Sequence, residues 1–187
     1  GRADLVAEMQ KPAYGAFGGT QPVRMNMSPM GGGLVPVMQT RRDLDRLIGA
    51  ARTHLDACGV EPGDVCAVFF GYHLFVAGLF YQSQMEAHGV ACIPLGPGEA
   101  DRAVEICNAH NVNILAGNPS FSLRLMEAGV KPPKVFFAGG EAFTGNPTLY
   151  NAVADAMPGT MLVDSFSLSE FLPVGRTFPG GQGVHVF

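Results

Sequence analysis

Residues 59–95 read GVEPGDVCAVFFGYHLFVAGLFYQSQMEAHGVACIPL. The apolar run VCAVFF follows Pro62-Gly63-Asp64 and stops at Gly71, with the length and flanks of a strand buried on both faces. Phe75–His88 reads as a helix, and a second apolar run, VACIPL, begins at Val90. Two continuous apolar strands separated by a helix are the pattern of a parallel sheet covered on both sides.

The pattern extends in both directions. Upstream, Thr40 precedes RRDLDRLIGAARTHLDACG, in which Leu44, Leu47, Ile48, Ala51 and Leu55 recur at helical spacing. Thr40 is placed to cap this helix with Asp43 three residues on, and Gly59 to end it in the left-handed position. Downstream, the helix Ala100–His110 precedes the strand VNILAG, Pro119–Ala128 precedes KVFFAG, and Thr144–Met157 precedes TMLVDSF; GVHVF reads as a last strand. Residues 1–39 are rich in Gly, Pro and Met and show no sustained periodicity, so an extended loop with one short strand is expected there. The expectation is an N-terminal segment, 1–39, and a layered α/β core, 40–187. Its mostly parallel sheet should include Val65–Phe70, Val90–Leu95, Val112–Ala116, Lys134–Ala138 and Thr160–Ser165, with helices on both faces.

Composition narrows the function. The 187 residues fit one domain, and 47% apolar content suffices for a packed core. With 15% charged residues and a net charge of -4, the chain lacks the basic footprint of a nucleic-acid binder. No apolar run reaches the ~18 residues of a membrane span, and the N-terminus lacks a signal-peptide pattern; a cytoplasmic protein is expected. Cys58, Cys66, Cys92 and Cys107 form no CxxC pair and read as buried, reduced thiols rather than a zinc site. A G-x-S-x-G nucleophile elbow is absent, as is a G-x-G-x-x-G turn after a strand. His54, His88 and His110 fall late in predicted helices, where the C-terminal dipole favours them.

Ligands of parallel sheets bind at the carboxyl ends of the strands. The segments to inspect are therefore Gly71–Phe75, Gly117–Ser120, Gly139–Glu141 and Ser165–Glu170. Each singled-out residue also has a plainer reading. Glu141 could begin the next helix, Glu170 could be a solvated loop acid, His73 a core histidine, and Tyr72, Phe75 and Phe121 core aromatics.

The order GYHLF, PSFSL, GGEAFT, DSFSLSE resembles the phenylacetate-CoA ligase branch of adenylate-forming enzymes, where the matching stretches read approximately GYGLF, PSYxL, GAEPWT and DxYGLSE. The similarity runs from about Arg24 to Phe187 and implies part of the large N-terminal region of an acyl-CoA ligase. It places the adenine-binding turn at Gly139-Gly140-Glu141 and the adenine-stacking ring at Phe166. The phosphate-contacting hydroxyl falls at Ser169, and the carboxylate that meets phosphate and Mg2+ at Glu170. The acyl or aryl pocket would be lined by Tyr72, His73, Phe75 and Phe121, opening toward Gly140, with His73, Glu141 and Glu170 as the catalytic candidates. ATP or AMP, Mg2+ and CoA are the cofactors so implied, and a small acyl or aryl acid the substrate.

The departures matter as much. The family's phosphate loop ends in Lys-Pro, whereas Ser28-Pro29-Met30-Gly31-Gly32-Gly33-Leu34-Val35-Pro36 has neither the threonine hydroxyls nor the lysine. A phosphate cradle uses backbone N–H groups and usually a cation, and Pro29 removes one donor. The family also continues into a small C-terminal domain bearing the catalytic lysine, which these residues do not include. A complete ATP-dependent ligase is not expected from this chain alone. Three readings stay open: an adenylating core working as part of a larger assembly, a homologue with ATP-independent chemistry on a small acid, and a non-catalytic binding module. A homodimer or a partner chain is expected.

Overall fold

The computed structural model describes residues 1–19, 21–30, 33–179 and 183–186. In chain order the elements are α1 (Arg2–Met9), a 3₁₀ turn (Pro12–Phe17), β1 (Arg24–Met30), β2 (Gly33–Gln39), α2 (Arg41–Ala57), β3 (Val65–Val68), α3 (Ala77–Ala87), β4 (Ala91–Ile93), α4 (Ala100–Ala109), β5 (Ile114–Gly117), α5 (Pro119–Glu127), β6 (Val135–Ala138), α6 (Pro147–Ala156), β7 (Met161–Leu168), β8 (Phe171–Arg176) and β9 (His185–Val186). The main sheet has the order β4-β3-β5-β6-β7-β8-β9. It is parallel from β4 to β7 and antiparallel across β7, β8 and β9. The five strands expected from the apolar runs are all present, and all are parallel.

Side chains alternate across this sheet with the period of two that a pleat imposes. Cys66, Val68, Ile114, Ala116, Val135, Phe137 and Val163 face one way and pack with Leu44, Leu47, Ala51 and Leu55 of α2 and Phe80, Tyr81 and Met85 of α3. Ala67, Leu115, Phe136 and Ala138 face the other way and pack with Ala103 and Cys107 of α4, Leu125 of α5 and Val153 and Met157 of α6. Two cores thus flank one sheet. Each large apolar side chain fully buried this way contributes ~1.5–3 kcal/mol.

Local chemistry sets the boundaries. The Thr40 hydroxyl accepts from the Asp43 N–H at 3.2 Å, and the Asp43 carboxylate accepts from the Thr40 N–H at 2.8 Å, forming the expected reciprocal cap of α2. Gly59 follows α2 with φ +70°. At the amino ends of the strands, Asp64 gathers donors from three segments. Its carboxylate meets Lys134 Nζ at 2.6 Å, the Glu61 N–H at 2.8 Å and Asn113 Nδ2 at 2.9 Å. The Asn113 side chain in turn accepts from the Val65 N–H at 3.0 Å. This cluster ties the starts of β3, β5 and β6 together, away from the strand ends where ligands bind.

The structure departs from the sequence reading in two places. Residues 1–39 are not an extended loop: they hold α1 and the antiparallel hairpin β1–β2, in which Pro29 pairs with Leu34 and Pro36 with Met27. Proline is tolerated because a two-stranded hairpin consists of edge strands, and this masked the pattern. β8 was not anticipated because FLPVGR contains Pro173 and Gly175, both of which read as breakers. The expected final strand is seen at His185–Val186, while Phe187 lies outside the described residues.

Candidate functional site

The carboxyl ends of β6 and β7 frame two adjoining cavities. The larger, about 520 Å³, is lined by Gly140, Glu141, Phe143, Thr144, Asp164 and Phe166, with Ser165 and Ser167 at its edge. The smaller, about 190 Å³, is lined by Phe70, Val76, Phe80, Tyr81, Leu172 and Ser169 and again by Gly140, Ser165 and Ser167. Gly140, Ser165 and Ser167 therefore belong to both.

The turn after β6 is fixed by three contacts. Gly140 has φ +82°, and a Cβ there would meet Asn118 Nδ2 at 2.5 Å. That same Nδ2 donates to the Gly139 carbonyl at 3.1 Å. Asn118 thus spends its side chain on the turn rather than on capping α5, which it precedes. Glu141 takes over the capping role, accepting from the Ser120 N–H and hydroxyl, each at 2.7 Å. The plainer reading of Glu141 as a helix-terminal acid is close, but the helix is the preceding one, α5. Across the larger cavity, the Asp164 carboxylate accepts from the Thr144 N–H at 2.9 Å and its hydroxyl at 2.6 Å. Phe166 lines the same cavity and stands 52% exposed.

The smaller cavity has an apolar lining and a polar base. Phe70 stacks on Tyr81 at 5.0 Å between centroids. The hydroxyls of Tyr81 and Ser165 are buried and close no hydrogen bond. Behind Tyr81 lies Arg176, 1% exposed, whose Nη2 donates to Gln84 Oε1 at 2.7 Å. Burial holds the Tyr81 phenol above its ordinary value, opposed by the Arg176 charge, and burial lowers the Arg176 guanidinium. Asp164 and Arg176 were not anticipated, and Ser165 lies in the inspected segment Ser165–Glu170 but was given no role. Asp164 sits in the strand run TMLVDSF, one residue before the segment that was weighed.

The remaining expected site residues do not converge. Tyr72 packs against the α2–α3 face, whereas Phe121 packs against the opposite face, 5.6 Å from Phe69. His73 and Phe75 are exposed, with their rings edge to face at 5.9 Å. The four aromatic residues therefore do not line one pocket, because α5 carries Phe121 to the other side of the sheet. Burial pushes the Tyr72 phenol up, and its hydroxyl is buried without a hydrogen bond. Ser169 reaches the smaller cavity. Glu170 instead lines a groove of about 450 Å³ with Met30, Pro36, Arg42 and Arg46. Two arginine charges there oppose a divalent cation, and among the described residues no group of three or more His, Cys, Asp or Glu gathers to hold one.

The degenerate phosphate loop is a hairpin. Ser28, which supplies its hydroxyl, is 3% exposed within β1; Gly31 and Gly32 lie outside the described residues. The hairpin is anchored to the loop after β3: the Met27 N–H donates to the Leu74 carbonyl at 2.8 Å, and Asn26 Nδ2 to the Phe75 carbonyl at 3.1 Å.

His54 lies in the last turn of α2, as expected, but it is buried, with Nε2 2.9 Å from the Thr177 carbonyl, and burial lowers its pKa to about 4. Cys58, Cys66 and Cys107 are buried and Cys92 half-buried. Among the described residues no helix is long and apolar enough to cross a membrane.

The parallel sheet with helices on both faces and adjoining clefts at its carboxyl edge has the fold seen in part of solved acyl-CoA ligases. The solved structure of 2-hydroxyisobutyryl-CoA ligase in an open conformation, in complex with 2-HIB-AMP and CoA, superposes with a TM-score of 0.81 at 20% identity, covering 95% of this chain and 44% of that one. In sequence the chain is similar to phenylacetate-CoA ligases. That of Aromatoleum evansii is 26% identical over 144 residues, 73% of this chain and 32% of the relative. That of Pseudomonas putida is 26% identical over 173 residues, 87% of this chain and 39% of the relative. No family model matches. The chain thus spans roughly a third of the length of the curated relatives it resembles.

Proposed function

We propose that this chain binds a small carboxylic acid in the 190 Å³ cavity and an adenylate in the 520 Å³ cleft, as the acid- and nucleotide-holding part of phenylacetate-CoA-ligase-type chemistry. The observation that carries this reading is that the two cavities share Gly140, Ser165 and Ser167. An acyl-adenylate has that shape: an acyl group and a base on either side of one phosphate. Gly139, Gly140 and Phe166 would hold the base, with Glu141 bracing the turn, while Ser167 and Ser169 would face the phosphate. The acid would lie against Phe70, Phe80 and Tyr81.

ATP is a poorer fit than the adenylate. The hairpin at Ser28–Pro36 offers no lysine, and its serine is buried, so a triphosphate would lack its usual cation. The test is a calorimetric titration with AMP, ATP with Mg2+, phenylacetate, and a non-hydrolysable phenylacetyl-sulfamoyl adenosine. The joined analogue should bind more tightly than AMP or phenylacetate alone, and Phe166→Ala should weaken it. An analogue that binds no better than its halves would refute the shared-junction reading. Micromolar ATP affinity would restore a complete nucleotide site.

A further inference from the structure

The base of the smaller cavity carries more polar capacity than an aryl monocarboxylate needs. Arg176 is 1% exposed and has no carboxylate partner among the described residues. Besides the bond to Gln84, it neighbours the Cys58 thiol and the Tyr81 hydroxyl, and its guanidinium carbon lies 5.6, 5.3 and 5.5 Å from the ring centroids of Phe80, Tyr81 and Phe137. Nε and Nη1 close no hydrogen bond. Phe80 and Tyr81 are themselves walls of the cavity, so the charge stands directly behind that wall. In front of it, the Tyr81 hydroxyl, in a residue 3% exposed, faces both Arg176 and Ser165, the latter 8% exposed, and neither hydroxyl closes a well-formed hydrogen bond.

Buried polar groups in native proteins are nearly always paired, and a buried charge is costly without a counter-charge. Cation–π contacts offset part of that cost but leave the net charge in place. A water could satisfy the hydroxyls without neutralising the guanidinium. An anion does both. At about 190 Å³ the cavity is smaller than the ~300 Å³ at which drug-sized pockets begin, so the anion must sit on a short chain.

We propose that the cavity takes a short dicarboxylic acid, its distal carboxylate accepting from the Tyr81 and Ser165 hydroxyls with the Arg176 charge behind them. This deepens the proposed function and rests on the acid-site reading. The proximal carboxylate would remain at Gly140 and Ser167, where the two cavities join.

Calorimetric titration of the 187-residue chain with succinate, butyrate and phenylacetate tests it. Succinate should bind at least tenfold more tightly than butyrate. Arg176→Met, at a residue that does not line the cavity, should reduce that preference severalfold and leave butyrate affinity unchanged, which a merely structural role would not do; Ser165→Ala should lower the ratio of succinate to butyrate affinity, whatever it does to butyrate alone. Should Arg176→Met fail to fold, Tyr81→Phe and Ser165→Ala carry the same comparison. Equal binding of succinate and butyrate, or a succinate preference that survives the variants, would overturn the dicarboxylate proposal and leave the acid site standing. Failure of all three acids, with the adenosine analogue also unbound, would sink the acid site as well.

Discussion

Glu141 Oε1 accepts hydrogen bonds from both the backbone N–H and the hydroxyl of Ser120, each at 2.7 Å. The contact joins the turn after β6 to the first turn of α5, whose own preceding residue, Asn118, is occupied with the Gly139 carbonyl. Glu141 is therefore a brace supplied from a different strand end. A carboxylate at a helix N-terminus that caps a free N–H is worth about 1 kcal/mol. Glu141→Ala should lower stability in urea by that amount, and Ser120→Ala by less. A variant as stable as the parent, with analogue binding abolished, would make Glu141 a ligand contact instead.

Gly140 is the hinge of both cavities. At φ +82° with Asn118 Nδ2 at 2.5 Å from any added Cβ, alanine meets both backbone strain and a clash. Left-handed backbone alone costs an L-residue ~1–2 kcal/mol. Gly140→Ala should destabilise by at least that much, measured by chemical denaturation, and should weaken AMP and acid binding together. Loss of one without the other would separate the two cavities.

What was legible in the sequence divides along physical lines. Buried parallel strands announce themselves as apolar runs, and VCAVFF, VNILAG and KVFFAG each became one. The Thr40–Asp43 cap and the Gly59 terminator were readable because they depend on neighbours in sequence. Gly140, Glu141 and Phe166 lie together at one cleft, since the turn follows β6 and Phe166 falls in the carboxyl-terminal half of its neighbour β7. Tyr72, His73, Phe75 and Phe121 did not meet, because which face a loop side chain takes depends on helix placement that no local pattern records. Arg176 was invisible for a related reason: in VGRTF it looks like an ordinary surface charge, and only the packing of α3 against the sheet buries it.

The Asp64 cluster should be a stability determinant with no share in binding. Its carboxylate, 8% exposed, is opposed by burial, but the bonds from Lys134, Glu61 and Asn113 hold its pKa below the ordinary value. Hydrogen bonds to a charged group are worth ~1.5–3 kcal/mol each, and removing the acceptor leaves several donors unpaired. Asp64→Ala should lower the denaturation midpoint by an amount in that range while adenosine-analogue affinity stays unchanged. A fall in affinity at constant stability would contradict a role confined to the amino ends of the strands.

His54 gives the acid response a direction. Burial sets its folded-state pKa at about 4, against about 6.5 for the unfolded chain. Between these values the unfolded state binds the proton more readily, so stability rises with pH across the window and is lost as pH falls. The loss from this group should begin near pH 6.5 and be complete near pH 4. Asp64 acts lower: its depressed carboxyl withdraws its contribution only as pH falls through the folded value, below the ordinary 3.8. Melting temperatures recorded between pH 7.5 and 4.5 should therefore decline in the parent. His54→Leu removes the titrating ring and its contact with the Thr177 carbonyl. That variant should start from a lower melting temperature, yet show a flatter profile between pH 6.5 and 4.5. An equally steep decline in both proteins would assign the acid response to other groups and place the His54 ring in contact with water.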